Sequence, residues 1–320
     1  MCDINNPRIE GKEIFNRIVR FSKSDALDEG EIETMLIREI QTNDYVTKSN
    51  LPFCDYVINP YIGCVHGCKY CYASFMKRFT GHTEDWGTFL DVKQCDKPIS
   101  VKKLTGKAVF LSSVTDPYNS YEKKYGITRA ILEQLSYIDC TLYISTKSSL
   151  ILRDIDLLKK QKHLVAAVSL NTLDENFRRE MDHGATVESR LGTLRELHEN
   201  GIYTVLFISP IFPCLTDFRT LIEATRAFID EFWFENLNLR GNYKAAVLGY
   251  IHAKYSQYDE LYKTIYQKGD TTFWKEMERD FTAYCTAHSI KYVNAFDHKR
   301  LVIEKKQRRT LMQQEGEPVT

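Results

Sequence analysis

The sequence predicts an α/β protein built as a partial (β/α)6 barrel, and three observations predict it. Short β-rich runs alternate with longer helical patterns six times between residues 54 and 242. The runs are continuously apolar, which is typical of parallel strands that are buried on both faces. The six units occupy about 185 residues, roughly three-quarters of the ~250 typical of an eightfold barrel. A doubly wound open sheet has the same periodicity and remains an alternative here.

The elements follow in order along the chain. Strands are predicted at residues 54–62, 107–114, 141–146, 164–170, 203–209 and 232–239. Helices are predicted at residues 72–79, 121–137, 151–160, 175–181, 188–199 and 218–230. Asn200 and Gly201 form a typical helix stop before the fifth strand, which Pro210 and Pro213 end.

Two flanks lie outside the six units, so the chain divides into four predicted segments. Residues 1–50 are expected to form an N-terminal helical extension, with helices at 12–21 and 29–40. Residues 51–242 form the core domain. Residues 243–300 form a C-terminal helical extension, and residues 301–320 form a polar tail that is expected to be disordered. Within the C-terminal extension, helices are predicted at 243–266 and 272–287 and a short strand at 291–296.

Composition limits the kinds of partner to expect. The 320 residues include 43 Lys and Arg against 43 Asp and Glu, so the formal net charge is zero. That balance argues against a whole-protein field for polyanions, although it permits a local basic channel. No window approaches 18 uninterrupted apolar residues, and the N-terminus lacks the apolar region of a secretory signal. A cytoplasmic protein without a membrane span is therefore expected.

Three of the nine cysteines crowd into eight positions. Cys64, Cys68 and Cys71 have the spacing C-x3-C-x2-C, which in a cytosolic chain indicates a metal site rather than a disulfide framework. Three thiolates on one loop can reach three irons of a [4Fe–4S] cluster, whereas electron carriers usually supply four. The fourth iron would then be open to a ligand, as in a catalytic zinc site. A Cys3His zinc site that uses His66 is the alternative.

The stretch NPYIGCVHGCKYCYA at 59–73 resembles the radical SAM (S-adenosylmethionine) superfamily, and more closely its spore photoproduct lyase-like branch. The segments SSVTDPYN, STKS, SLNTLDE, SPIFPCLTD and ENLNLRG, together with residues 73–87, resemble the radical SAM mobile pair proteins (B-type). Genes of that subgroup travel beside a second radical SAM gene. The resemblance covers about residues 45–300.

This resemblance implies a TIM-like barrel of the radical SAM type, with helical N- and C-terminal extensions, that holds a [4Fe–4S] cluster and SAM. In that family the reduced cluster cleaves SAM into methionine and a 5′-deoxyadenosyl radical, which abstracts hydrogen from substrate. An external reductant of the flavodoxin or ferredoxin type and a second radical SAM protein are the implied partners. The substrate is unknown, and a nucleic acid and a peptide both stay open.

The resemblance also assigns residues to SAM, and each follows the carboxyl end of a predicted strand, where barrel active sites gather. Asp116 is assigned to the SAM ammonium, Lys147 to the carboxylate and Ser209 to the adenine. Arg190 is a second candidate for the carboxylate, with a surface salt bridge as the alternative. The full set of predicted SAM contacts is Tyr70, Ser113, Thr115, Asp116, Ser145, Lys147, Ser169, Asn171, Arg190 and Ser209.

Polar residues after the sixth strand are expected to recognise substrate; these are Glu235, Asn236, Asn238 and Arg240. Cys214 is a candidate hydrogen donor, with a turn role as the alternative. Spore photoproduct lyase uses a further cysteine as donor, but Cys95 is too near the cluster motif and Cys140 too far. Repair of DNA lesions is therefore an alternative function, as is a non-catalytic zinc- or iron–sulfur-binding protein. A core or a cover for the cluster is expected from the aromatic residues Tyr70, Tyr72, Phe75, Phe79 and Trp86, with stacking of nucleobases as the alternative.

Overall fold

A computed structural model describes residues 35–241, 243–297, 301–303, 305 and 307. The strands are β1 Leu36–Gln41, β2 Val46–Lys48, β3 Tyr56–Ile58, β4 Tyr61–Ile62, β5 Phe89–Gln94, β6 Ala108–Leu111, β7 Thr141–Thr146, β8 His163–Ser169, β9 Thr204–Ile211, β10 Glu231–Asn236 and β11 Tyr292–Asn294. The helices are α1 Val101–Leu104, α2 Glu122–Tyr125, α3 Ile127–Leu135, α4 Ile155–Leu158, α5 Glu175–Met181, α6 Val187–Glu199, α7 Phe218–Thr225, α8 Tyr243–Lys254, α9 Asp259–Tyr266 and α10 Thr272–Ala287. Residues Tyr72–Phe79, Ser149–Asp154 and Ser256–Tyr258 are 3-10 helices.

The main sheet has eight strands in the order β11-β10-β9-β8-β7-β6-β3-β2. Every neighbouring pair from β3 to β11 is parallel, and β2 is antiparallel to β3. This confirms the α/β class and the parallel sheet. Helices follow the strands along the chain, as right-handed crossover units require.

The sheet curls into an open barrel. The ring of Phe53 lies 5.2 Å from Phe110 on β6 and 6.4 Å from Trp233 on β10. Those strands are four places apart, which would separate them by about 19 Å in a flat sheet. One side chain touches both because the sheet curves around it. The partial barrel is confirmed, with β11 and β2 at the two ends of the strand order.

One face of the sheet is less buried than the sequence predicts. On β7, Leu142 and Ile144 are fully buried against the helices, whereas Tyr143 and Ser145 are half-buried. The half-buried side chains face the inside of the curved sheet, which is a cavity rather than a filled core. The continuous apolar runs in the sequence do not reveal this cavity, because an aromatic residue such as Tyr143 is expected in a filled core.

Several predicted helices are interrupted. Gly126 has a left-handed φ of +64°, and it separates α2 from α3 within the single helix predicted at 121–137 because glycine takes this conformation without a steric penalty. The helix predicted at 151–160 is a 3-10 turn followed by α4, and that predicted at 243–266 is α8 and α9 joined by a 3-10 turn.

The N-terminal extension is not only helical. Residues Leu36–Gln41 form β1, which contradicts the helix predicted at 29–40, because each residue of β1 pairs with a residue of β5 in a parallel ladder. Such pairing overrides local helical spacing. Strand β5 escaped prediction since Asp91 and Lys93 interrupt its apolar run. The helix predicted at 12–21 lies outside the described residues.

A second small sheet, in the order β1-β5-β4, carries the cysteine loop. Strand β4 ends at Ile62, two residues before Cys64, and it pairs antiparallel with β5. The predicted strand at 54–62 is therefore two strands, β3 and β4, each in a different sheet. Asn59 and Pro60 separate them, and proline cannot donate to a ladder.

The C-terminal segment is also not only helical, because β11 joins the main sheet beside β10. Phe281 of α10 stacks on Phe234 of β10, with ring centroids 4.4 Å apart and planes 10° apart. The tail was expected to be disordered, yet residues 301–303, 305 and 307 are helical, and Lys305 donates hydrogen bonds to the carbonyls of Leu51 and Cys54. The remaining tail residues lie outside the described part. Within the described part, no helix is long and apolar enough to span a bilayer.

Candidate active site

One large cavity opens at the carboxyl ends of the strands and continues down the inside of the curved sheet. Its volume is about 2600 Å³. The three cysteines of the C-x3-C-x2-C motif lie on its wall. Predicted residues that also line it are Tyr70, Ser113, Thr115, Asp116, Ser145, Lys147, Ser169, Ser209, Glu235, Asn236, Asn238 and Arg240.

The cysteine loop is held from both sides by backbone contacts. On one side Gly63 has a φ of +88°, and a Cβ there would lie 2.3 Å from the carbonyl oxygen of Phe89 in β5. On the other side the amide of Lys69 donates to the Met181 carbonyl at 2.9 Å, and the amide of His183 donates to the His66 carbonyl at 2.8 Å. The loop is thereby fixed between β5 and the segment after α5.

The three thiols are free, half-buried and close enough to repel one another as thiolates. Burial raises the pKa of Cys68 to about 12, and the charge of Cys71 adds to this rise while Lys147 opposes it. Burial also raises the pKa of Cys64, with Asp116, Cys68 and Cys71 contributing. A cationic cluster would relieve this repulsion because metals bind the thiolate form.

This donor set fits a cubane better than a single ion. Among residues 35–241, 243–297 and the described part of the tail, no three His, Cys, Asp or Glu side chains are arranged to hold one metal ion. In a cubane each thiolate binds a different iron, so the thiols need not converge on one point. His66 is buried, and its Nδ1 lies 3.3 Å from Asp116 Oδ2. This contact engages one of the two ring nitrogens that a Cys3His zinc site could use.

Asp116 joins the cysteine loop to the ends of β6 and β7. Its carboxylate accepts hydrogen bonds from the Thr146 hydroxyl at 2.7 Å and from the amides of Lys147 and Tyr118 at 2.8 and 2.9 Å. Burial opposes ionisation, but His66 and these hydrogen bonds outweigh it and lower the pKa of Asp116 to about 2. The predicted contact with the SAM ammonium stays a prediction, and the geometry gives Asp116 a bracing role.

Lys147 is a cation on the cavity wall. Its Nζ lies 5.9 Å from the ring centroid of Tyr70, and within the described residues it forms no ion pair closer than 4 Å. Burial lowers the pKa of Lys147, but the nearby Cys68 and Asp182 outweigh this effect and raise it. An ammonium in this position can bind an anionic group such as a carboxylate, to which it donates hydrogen bonds.

Asp182 was missed from the sequence, although it organises this part of the site. It accepts a hydrogen bond from the Tyr70 hydroxyl at 2.9 Å and another from the Gly184 amide at 2.9 Å, and it forms an ion pair with Arg190. Nothing in the sequence marks Asp182 except that it is an acid between α5 and α6, the segment that follows β8.

Arg190 is 1% exposed, and its guanidinium is bound within the protein. Besides Asp182, it donates to the carbonyls of Ala185 at 2.8 Å and Ser169 at 3.1 Å. Its assignment to the SAM carboxylate stays a prediction, and the structure places it behind the cavity wall. Asn171 also lies behind the wall, where its amide donates to the Pro210 carbonyl at 2.9 Å.

The remaining predicted residues divide between the rim and the interior. Thr115 donates to the Gly63 carbonyl at 2.5 Å, and Ser209 donates to Glu235 Oε2 at 2.5 Å. Asn238 and Arg240 are exposed at the rim, where Arg240 Nε donates to Asn238 Oδ1 at 2.9 Å.

The sequence left alternative roles open for Cys214 and for the aromatic stretch. Cys214 lies in a turn with a φ of +61°. Its sulfur is disulfide-bonded in this structure, so its role as hydrogen donor stays a prediction. Phe75 and Phe79 are 45% and 66% exposed, so they do not form a core, and their role as a cover for the cluster stays a prediction. They lie on the 3-10 helix Tyr72–Phe79, which follows Cys71.

Comparison with known proteins places the chain in a family. The model of the radical SAM superfamily matches residues 58–223. An uncharacterized protein of Methanocaldococcus jannaschii is 36% identical over 234 residues, which are 72% of this chain and 87% of that protein. A radical SAM Nalpha-GlyT isomerase of Pseudomonas phage M6 is 28% identical over 175 residues, 52% of this chain and 36% of that protein.

Solved structures agree on the fold. A spore photoproduct lyase mutant with dinucleoside spore photoproduct has a TM-score of 0.51 and 15% identity, covering 77% of this chain and 79% of that chain. A second mutant of that lyase, with bound AdoMet and the same dinucleoside, has a TM-score of 0.50 and 14% identity over the same shares. The family model covers more than half of the chain, and the fold agrees with it. The chain therefore belongs to the radical SAM superfamily.

Proposed function

We propose that this protein is a radical SAM enzyme in which Cys64, Cys68 and Cys71 bind a [4Fe–4S] cluster. Membership of the superfamily implies that cluster and SAM. When bound, the cluster would supply one electron to SAM. The C–S bond of SAM would then break to give methionine and a 5′-deoxyadenosyl radical, which would take a hydrogen atom from substrate. The observation that carries the proposal is that three free thiols and the ammonium of Lys147 line one cavity.

Lys147 would bind the carboxylate of SAM. It lies close enough to Cys68 for the two charges to interact, so a ligand that touches Lys147 would also reach the cluster. The lysine comes directly after β7, and its own amide is fixed by Asp116. Its ammonium needs little reorganisation to bind, which favours affinity.

Tyr70 and Asp182 would orient this pair. The Tyr70 ring lies under the Lys147 ammonium, and its hydroxyl is held by Asp182. Asp182 is in turn fixed by Arg190. These buried contacts hold the cysteine loop and the lysine in one arrangement before any ligand binds. Such preorganisation is what a radical reaction needs to exclude water and direct the hydrogen transfer.

The rim supports a large polar substrate. Glu235, Asn236, Asn238 and Arg240 line the mouth of the cavity, and Arg240 can hold a carboxylate or phosphate through two donors. The proposal includes an external reductant of the flavodoxin or ferredoxin type, a second radical SAM protein as partner, and a cytoplasmic location. Nucleic acid and peptide both fit this rim.

Two other functions are less well supported. A lyase for DNA lesions would need a hydrogen donor near the substrate. Of the free cysteines in the described residues, those on the cavity wall are the three of the cluster motif. A non-catalytic zinc or iron–sulfur protein would leave the large cavity and Lys147 without a role. The phage relative is named as an isomerase, which supports an enzymatic function.

Ligand replacement tests the cluster assignment. We expect anaerobically reconstituted wild-type protein to hold about four irons per chain, Cys68→Ala to lose most of this iron, and the control Cys95→Ala to keep it. Cys95 is a free cysteine off the cavity wall. Iron, sulfide and zinc assays with absorption spectra measure the outcome. A full cluster in Cys68→Ala, or one zinc per wild-type chain without iron, would refute the proposal.

A further inference from the structure

The cavity is larger than its proposed cofactors require. Its volume is about 2600 Å³, whereas pockets for drug-sized ligands occupy about 300–1,000 Å³. SAM beside Cys68 and Lys147 would fill the upper part, at the carboxyl ends of the strands. The lower part, inside the curved sheet, would remain open to another ligand.

Four aromatic rings line the lower part. We call this set the aromatic floor: Phe53, Tyr143, Phe207 and Trp233. The Trp233 ring centroid lies 6.1 Å from Tyr143 and 5.7 Å from Phe207. Phe53 is 36% exposed and the other three are half-buried. Rings that touch one another and still have free surface on a cavity can pack against a further ring.

The aromatic floor is fixed in place. The indole Nε1 of Trp233 donates to Glu231 Oε2 at 2.9 Å, which sets the orientation of the ring. The turn that carries Phe53 is held at both ends, since Lys305 Nζ donates to the Leu51 carbonyl at 2.9 Å and to the Cys54 carbonyl at 2.5 Å. A ligand that packs on rings already held in position loses less free energy to side-chain ordering.

A hollow lies between this floor and the SAM position. Tyr143, Ser145 and Lys147 alternate on the inner face of β7 and just beyond it, so Lys147 lies about 13 Å above Tyr143 along the strand. Ser145 stands between them, and Ser169 lines the neighbouring part of the wall. These small side chains leave the space that a planar ring needs.

Ser112 gives the hollow a polar contact. It is 4% exposed and lies on the cavity wall, and its hydroxyl has no hydrogen-bond partner within the described residues. It follows Phe110 by two residues, so it lies above the aromatic floor, directly after the end of β6. A buried hydroxyl without a partner is unfavourable, and a polar atom on a ligand would satisfy it.

We propose that this hollow binds a planar heteroaromatic ring of the substrate, stacked on the aromatic floor and hydrogen-bonded to Ser112. The inference rests on the proposed function, because it places the ring below the site where the radical forms. The ring can come from a nucleobase or from an aromatic amino acid side chain, and both sources share this chemistry.

The test uses the full-length, anaerobically reconstituted protein with SAM bound. Saturation-transfer NMR titrations would measure binding of cytidine and thymidine as nucleobase probes, N-acetyl-tryptophanamide as a peptide probe, and cyclohexylalanine amide as a non-aromatic control. We expect one ring class to bind saturably and Trp233→Leu to weaken it about tenfold or more, since stacking contributes about 1–3 kcal/mol per ring. Ser112→Ala should weaken it as well. The matched control is Trp274→Leu, which removes an indole that lies off the cavity wall.

The outcomes separate this inference from the proposed function. Binding by a nucleoside identifies the ring as a nucleobase, and binding by the indole identifies it as a side chain. The inference is overturned if no ring probe binds saturably or if the cyclohexyl probe binds equally well. It is also overturned if Trp233→Leu or Ser112→Ala binds the ring probe as tightly as wild type. Formation of 5′-deoxyadenosine in the same samples reports on the proposed function: if it persists, only the ring site fails.

Discussion

Lys147 is the residue on which SAM affinity should depend most. Its ammonium faces the cavity beside Cys68 and has no ion-pair partner within 4 Å among the described residues. We expect Lys147→Met to weaken SAM binding by about tenfold to a hundredfold, because a hydrogen bond to a charged group contributes about 1.5–3 kcal/mol. Anaerobic equilibrium dialysis with reconstituted protein would measure the dissociation constant.

The control for this change is Lys69→Met, which removes a cation from the same region without touching the proposed SAM position. Lys69 is exposed and its ammonium lies 5.4 Å from the ring centroid of Tyr250. SAM affinity should stay near the wild-type value there, and the iron content of both variants should be unchanged. Equal SAM affinity in Lys147→Met and wild type would refute the role of Lys147.

Asp116 should make stability depend on pH in the acid range. Its pKa is lowered from an ordinary value of 3.8 to about 2, so its ionised form contributes stability above pH 4 that is lost as the pH falls towards 2. This contribution is about 2 kcal/mol. Between pH 5 and pH 2, the unfolding free energy of wild type should therefore fall about 2 kcal/mol more than that of Asp116→Asn.

Urea denaturation of the cluster-free protein at each pH measures this difference. The substitution also removes a charge from a buried set of hydrogen bonds, so the variant should be less stable at pH 5. The diagnostic quantity is the change in the unfolding free energy with pH, rather than its value at any one pH. Parallel curves for the two proteins would show that Asp116 does not ionise in this way.

At the scale of elements, the junction of β4 and β5 fixes the cysteine loop. Gly63 and Gly81 both have a positive φ, +88° and +72°, but a Cβ at Gly63 would lie 2.3 Å from the Phe89 carbonyl oxygen, whereas one at Gly81 would meet nothing within 4 Å. Gly81→Ala should cost only the left-handed backbone penalty of about 1–2 kcal/mol. Gly63→Ala should lower the unfolding free energy by clearly more than Gly81→Ala does, and it should also reduce the iron content.

Thermal unfolding and iron assays of the two variants test this comparison. For a domain of this size, 1 kcal/mol corresponds to a shift of about 2–4 °C in Tm. The backbone penalty is shared, so the difference between the variants isolates the contact with β5. Equal Tm values and equal iron contents would mean that β5 does not hold the loop.

The main elements were predictable because periodicity reports local burial. Helices α5, α6 and α10 lie where helical spacing of apolar residues places them. Strands β1 and β5 were not predictable, because their pairing is decided by contacts between residues about 50 positions apart. A charged residue such as Asp91 is expected at the surface, yet it is buried, and its Oδ1 lies 2.9 Å from His82 Nε2. The sequence alone does not show that pairing.

Part of the candidate site was predictable from the sequence, as was part of the fold. The cysteine spacing and the strand ends located the cluster loop and the polar residues at the carboxyl ends of the strands on the cavity wall, since those residues share local motifs. The role of Asp182 and the contacts that Arg190 and Asp116 make within the protein were not predictable, because these contacts join separate elements. The aromatic floor was also missed, since Phe53 and Trp233 are far apart in sequence and meet only when the sheet curls.

At the scale of the whole molecule, the C-terminal segment completes the fold. Strand β11 covers the edge of β10, and Phe281 stacks on the buried Phe234. A chain that ends at residue 242 would expose both, so we expect it to aggregate or to unfold without cooperativity. A chain that ends at residue 307 keeps these contacts and should unfold cooperatively. Circular dichroism during urea titration would compare the two, and an unchanged midpoint for the shorter chain would contradict the assignment.

Reductive cleavage of SAM by this protein is the activity that would establish it as a radical SAM enzyme. The anaerobically reconstituted protein would be reduced with dithionite in the presence of SAM, and 5′-deoxyadenosine would be quantified by chromatography. We expect 5′-deoxyadenosine from wild type and from Cys95→Ala, and none above background from Cys68→Ala. A full cluster in wild type with no 5′-deoxyadenosine, or equal amounts from Cys68→Ala, would contradict it.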